Sequence, residues 1–141
     1  MNNELLLIDT ILDFCDQPQL LTARDKYDSL FLCLLFSDIE FPDYTAIKIT
    51  KNELKNLQNG MVDLRDLMSF NSGNTGFYIT KGEADGLRII QTVTESIPEE
   101  RLPERGYTLT PEECDQITVN IPRNDRSLFT SVMKRFGWIA M

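Results

Sequence analysis

The amino-acid sequence predicts an α+β fold: an antiparallel meander sheet with short helices packed on one face and a C-terminal amphipathic helix. Three observations support this fold class. Short apolar runs separated by polar turns occupy residues 19–50, two helix-capping motifs follow them, and residues 126–136 carry a one-sided apolar stripe. A length of 141 residues suits one domain.

The first half of the chain contains four apolar segments. Residues 4–14 are rich in leucine and isoleucine, and their periodicity fits a short helix or a strand. Residues 19–24, 29–36 and 44–50 are predicted strands joined by short polar turns. The segment 29–36 is apolar throughout, which predicts burial on both faces and makes Cys33 a small buried hydrophobic residue.

Two helices are predicted between the strands. Thr50 and Glu53 have the spacing of a capping box, and Gly60 is placed to end the helix that starts there. Asp63 caps a second short helix. The polar run 71–76 is predicted to be a loop.

The rest of the chain divides into a hairpin, a connection and a C-terminal unit. Residues 77–80 and 87–94 form the predicted hairpin, which completes a body of residues 1–94. Residues 95–106 are charged, contain two prolines and lack periodicity, so they are interpreted as a linker-like segment. Residues 107–141 are expected to be a strand–helix segment that packs on the body as one compact unit.

The C-terminal unit has the clearest local pattern. Residues 117–121 alternate as a strand, Pro122 stops it, and Asp125 caps the helix. Gly137 ends the helix, and Trp138 follows it. The stripe of this helix consists of Leu128, Phe129, Val132, Met133 and Phe136.

The charge distribution indicates the kind of partner. The net charge is −8, and residues 1–44 hold nine acidic and two basic side chains. An acidic surface attracts basic partners and disfavours nucleic acid. The first residues lack the basic stretch of a secretory signal, and no apolar run approaches the ~20 residues that span a bilayer. The protein is therefore expected to be cytoplasmic, without a membrane partner.

Catalytic chemistry has little support in the residue types. Histidine is absent, which removes the commonest general base and zinc ligand. Carboxylates are the remaining candidates, but those near helix starts are explained by capping and by the helix dipole. No catalytic residue, metal site or cofactor is predicted. The carboxylate groups considered are Asp9 with Asp13, Asp63 with Asp66, and Glu112 with Glu113 and Asp115.

Two stretches resemble known bacterial proteins. Residues 19–35, which contain Ala-Arg-Asp-Lys at 23–26, together with 53–67 and 77–80, resemble a small bacterial domain of unknown function. Residues 117–138 resemble the strand-Pro-helix-Gly-Trp segment of short bacterial antitoxin-like proteins. The second resemblance implies a protein partner.

These observations lead to a non-enzymatic macromolecule-binding protein, an antitoxin-like or phage-defence component that acts on a protein partner with basic character. A homo-oligomer is also compatible with the sequence. The alternatives are a stand-alone adaptor or structural domain, and a carboxylate-dependent metal enzyme built on Asp9, Asp13 and Asp16. The predicted partner-binding residues are Arg126, Phe129, Met133, Lys134, Arg135, Phe136 and Trp138.

Overall fold

The computed structural model describes residues 4–14, 18–38, 41–83, 86–110 and 119–120. Two helices, α1 (Lys51–Gln58) and α2 (Leu64–Thr75), connect the fourth described strand to the fifth, and a 3-10 turn covers Glu99–Arg101. The strands in these ranges are β1 (Leu5–Phe14), β2 (Pro18–Arg24), β3 (Leu30–Ser37), β4 (Asp43–Lys48), β5 (Phe77–Glu83), β6 (Gly86–Val93) and β7 (Val119–Asn120).

Strands β1 to β6 form a closed antiparallel barrel in which each strand pairs with the next one along the chain. The barrel closes where β6 returns to β1, with Leu5 opposite Arg88 and Leu6 opposite Leu87. The predicted α+β fold with an open meander sheet is therefore wrong. Closure pairs residues far apart in the sequence, and local apolar patterns carry no information about such a pairing.

The strand positions themselves agree with the sequence prediction for β2 to β6. Residues 4–14, left open between helix and strand, form β1, because this segment pairs with β2 along most of its length, with irregularities at three places. Within the predicted strand 117–121, Val119 and Asn120 pair with Ile11 and Thr10 on the other edge of β1.

Two apolar clusters explain why the strands are so rich in leucine and isoleucine. One cluster draws buried residues from β1, β2, β3, β4 and β6, and the partly buried Tyr78 of β5 packs against it, so it fills the barrel interior. The other lies on the outer face, beneath the helices and residues 97–109. In β3, Phe31 and Cys33 belong to the interior, whereas Leu32 and Leu34 belong to the outer cluster. The prediction that this strand is buried on both faces is confirmed for residues 30–34, whereas Phe36 is exposed.

The interior also contains polar groups that are paired. The fully buried Tyr44 donates a hydrogen bond from its hydroxyl to the backbone carbonyl of Pro18. The Thr80 hydroxyl donates to the backbone carbonyl of Tyr44 at 3.2 Å. Cys33 is completely buried, as predicted, and burial raises the pKa of its thiol, which keeps it protonated.

The helices begin where the sequence predicts. Thr50 and Glu53 form the capping box, and Asp63 accepts from the backbone N–H of Arg65 at 2.8 Å. The predicted loop 71–76 is wrong, because α2 continues to Thr75. Tertiary contacts override the weak helix propensity of this run, since the Asn71 side chain donates to the Lys48 carbonyl at 3.0 Å.

Residues 95–106, interpreted from the sequence as linker-like, lie against the outer cluster. Ile97 is buried in that cluster, and its backbone N–H donates to the Ser72 hydroxyl at 3.1 Å. Residues 97–101 therefore run from the C-terminal end of α2 toward the beginning of β4. Within the described ranges, no helix has the length and apolar character needed to cross a bilayer.

Candidate binding groove

A groove of about 390 Å³ opens between the end of β3 and the segment that follows the 3-10 turn. We call it the end groove. Leu34, Leu35 and Phe36 form its β3 wall. The opposite wall is formed by Leu102, Pro103 and Tyr107, and the polar lining residues are Gln19, Glu100, Arg101 and Glu104.

Arg101 ties the two walls together. Its guanidinium donates to both carboxylate oxygens of Asp43 at 3.2 Å and to the Thr45 hydroxyl at 2.8 Å. Its Cζ lies 4.0 Å from the centre of the Phe36 ring. Only 13% of the Arg101 side chain is exposed. This contact therefore fixes residues 97–109, which we call the outer segment, against β4 and places a cation on one face of the aromatic ring.

Arg65 of α2 also holds the outer segment in place, by contacts to Pro103 and Glu99. Its guanidinium donates to the Pro103 carbonyl at 2.9 Å and to both carboxylate oxygens of Glu99. The hydrogen bond from Arg65 lowers the pKa of the Glu99 carboxyl, and the same bond raises the pKa of the Arg65 guanidinium. Both groups thus stay ionised over a wide pH range.

The start of α2 supplies two further attachments. The backbone N–H of Leu64 donates to the Tyr107 carbonyl at 2.8 Å, and the Asp63 carboxylate accepts from the N–H of Gly106. The Tyr107 hydroxyl donates to the Asp13 carboxylate at the end of β1. Contacts to β1, β4 and α2 therefore hold this side of the end groove in place.

The mouth of the groove carries exposed apolar and acidic groups. The Phe36 side chain, near the end of β3, remains 43% exposed. Glu100 and Glu104 are exposed, and neither forms an ion pair with another residue in the described part of the chain. The Arg101 charge, in contrast, is compensated by Asp43.

The sequence-predicted partner-binding residues lie outside the described residues. This applies to Arg126, Phe129, Met133, Lys134, Arg135, Phe136 and Trp138.

Three of the carboxylates considered for catalysis have local partners in the structure, whereas Glu112, Glu113 and Asp115 lie outside the described residues. Asp9 lies 3.7 Å from Arg24 Nε, and Asp13 accepts from Tyr107. Asp63 caps α2, as the sequence predicts, while Asp16 lies outside the described residues. No group of three or more potential metal ligands occurs among the residues whose positions are described.

The groove residues were not predicted from the sequence. Glu100, Arg101 and Glu104 lie in residues 95–106, whose charge and prolines predict a linker-like segment. One signal was present: Ile97 and Leu102 are large apolar residues within that charged stretch, and such residues usually need a surface to pack on.

Comparison with known proteins finds no matching family model, no significantly similar curated protein and no significantly similar solved structure.

Proposed function

We propose that this protein is a non-enzymatic binding module that engages a protein partner at the end groove. The observation that carries the proposal is the anchored outer segment, which leaves a preformed apolar groove with a charged rim. A binding surface of this kind loses little conformational entropy when a ligand enters. A partly exposed aromatic side chain such as Phe36 is a typical anchor at protein interfaces.

The biological setting follows from the sequence resemblance. The antitoxin-like segment 117–138 supports a role in bacterial toxin–antitoxin or phage-defence systems, in which an acidic protein neutralises a basic one in the cytoplasm. In this proposal, the predicted residues of 126–138 supply a second contact to the same partner.

Peptide display tests the groove directly. The immobilised full-length protein is screened against a random dodecapeptide library, and the selected peptides are measured against Phe36→Ala. Phe70→Ala is the matched control, because Phe70 is an exposed phenylalanine of α2 that does not line the groove. Circular dichroism verifies that both variants are folded.

We expect the selected peptides to bind Phe36→Ala at least tenfold more weakly than the wild type and to bind Phe70→Ala equally well. A tenfold loss corresponds to about 1.4 kcal/mol, a modest value for an aromatic interface residue. Equal binding to folded Phe36→Ala, or no selected peptides at all, would contradict the proposal.

A further inference from the structure

Two acidic side chains that form no ion pair with any described residue stand at the mouth of the end groove. Glu100 and Glu104 are exposed lining residues on either side of the apolar pair Leu102 and Pro103. The neighbouring Glu99, in contrast, is paired with Arg65. A ligand that enters between Glu100 and Glu104 therefore meets two carboxylates whose charges no described residue compensates.

Among the described residues that line the groove, the only cation is Arg101, and it cannot offset these charges. Arg101 donates to both oxygens of Asp43 and to Thr45, and the Phe36 ring covers it. An anionic ligand would have to compete with these contacts while also meeting Glu100 and Glu104. Arg105 lies close to Glu99 and does not line the groove. The local charge thus favours a cationic ligand.

The size of the groove restricts what can enter it. A volume of about 390 Å³ is near the lower end of the range for small-molecule pockets, which is roughly 300–1,000 Å³. It accommodates a few side chains but no folded element. The apolar walls suit aliphatic groups, and the two carboxylates at the mouth suit flanking ammonium or guanidinium groups.

We infer that the partner inserts a short basic segment, with one or two aliphatic side chains in the end groove and lysine or arginine residues beside Glu100 and Glu104. This inference rests on the proposed function and specifies the chemistry of the partner. The net charge of −8 acts in the same direction, because it attracts a basic protein before contact.

Three charge-biased display libraries test the partner chemistry. Each library fixes four positions of a random dodecapeptide as lysine, glutamine or glutamate, and clones are scored as groove-specific when binding is lost on Phe36→Ala. We expect the lysine library to yield at least tenfold more groove-specific clones than the glutamine library, and the glutamate library to yield the fewest.

Variants without the two carboxylate charges then test whether Glu100 and Glu104 cause the preference for lysine. The double variant Glu100→Gln/Glu104→Gln should weaken the lysine clones about tenfold, as expected for two partly exposed ion pairs, and should leave the glutamine clones unchanged. Glu95→Gln is the control, because Glu95 is an exposed carboxylate outside the groove lining. Binding of the lysine clones should also weaken as the salt concentration rises.

The outcomes separate this inference from the proposed function. Groove-specific clones without a lysine preference would overturn the basic partner and leave the groove as a binding site. A failure of all three libraries to yield groove-specific clones would overturn both. A red shift of Trp138 fluorescence in the ligand-free double variant would identify the chain's own C-terminal segment as the occupant, and would also overturn the assignment to a separate partner.

Discussion

Replacing Arg101 by alanine should destabilise the protein by about 2–3 kcal/mol. Charge-assisted hydrogen bonds contribute ~1.5–3 kcal/mol, and the loss of one partner of a fully buried ion pair costs ~3–5 kcal/mol. The exposed fractions of the Arg101 and Asp43 side chains, 13% and 22%, place this pair below the fully buried case. The lost contact with the Phe36 ring adds to the cost.

Urea unfolding followed by circular dichroism measures this change. With a denaturant dependence of ~2 kcal/mol per M, the unfolding midpoint should fall by about 1 M or slightly more. Arg101→Lys should lie between alanine and the wild type, because an ammonium keeps the charge but cannot bind a carboxylate with a planar fork. Arg105→Ala is the control, since Arg105 is exposed.

An Arg101→Ala variant within ~0.5 kcal/mol of the wild type would refute this reasoning, provided that hydrogen exchange of the Ile97 amide is also unchanged. That amide donates a hydrogen bond to the Ser72 hydroxyl of α2, so its rate of hydrogen exchange reports whether the outer segment has detached locally.

Three further perturbations test other parts of the structure. Tyr44→Phe leaves a carbonyl of β2 without its hydroxyl donor, and we expect calorimetry to show a loss of ~1–3 kcal/mol. Gly86→Ala places a methyl group 2.1 Å from a carbonyl oxygen of β1 and should lower the melting temperature far more than Gly106→Ala, where no atom lies within 4 Å; equal effects would refute the close approach of β6 to β1 at Gly86. The pKa of Glu99 is lowered from its ordinary 4.5 in the folded state, so its stabilising contribution is present above pH 4.5 and is lost as the pH falls through the lower folded value. Glu99→Gln should lack this acid-dependent fall in melting temperature. If the melting temperature of Glu99→Gln depends on pH as that of the wild type does, the pairing with Arg65 does not stabilise the fold.

The elements that the sequence predicted are those determined by neighbouring residues. Thr50 and Glu53 satisfy backbone groups of the same helical turn, so their spacing alone identifies the start of α1. The apolar run of β3 predicts burial on both faces because each face needs its own apolar side chains. In contrast, α2 extends past Asn71 because of a hydrogen bond to β4, which no local pattern shows.

The end groove could not be predicted because it consists of parts that are distant in the sequence. Arg101 lies in a charged stretch between Pro98 and Pro103, and its role appears only when Asp43 and Phe36 are placed beside it. The closed barrel was missed for the same reason, since the pairing of β6 with β1 is long-range. The residues selected from the C-terminal pattern lie outside the described ranges, and their role stays a prediction.

The narrow contact between β1 and β6 also sets the order in which the molecule can assemble during translation. A nascent chain that emerges from the ribosome has made β1 to β5 before Leu87 and Arg88 exist, so the edge of β1 that receives β6 is unpaired during that time. Bringing such distant segments together is slow, because the entropy of closing the long intervening loop opposes it. Chains that stop before β6 keep that edge open to other chains, so premature termination there favours aggregation.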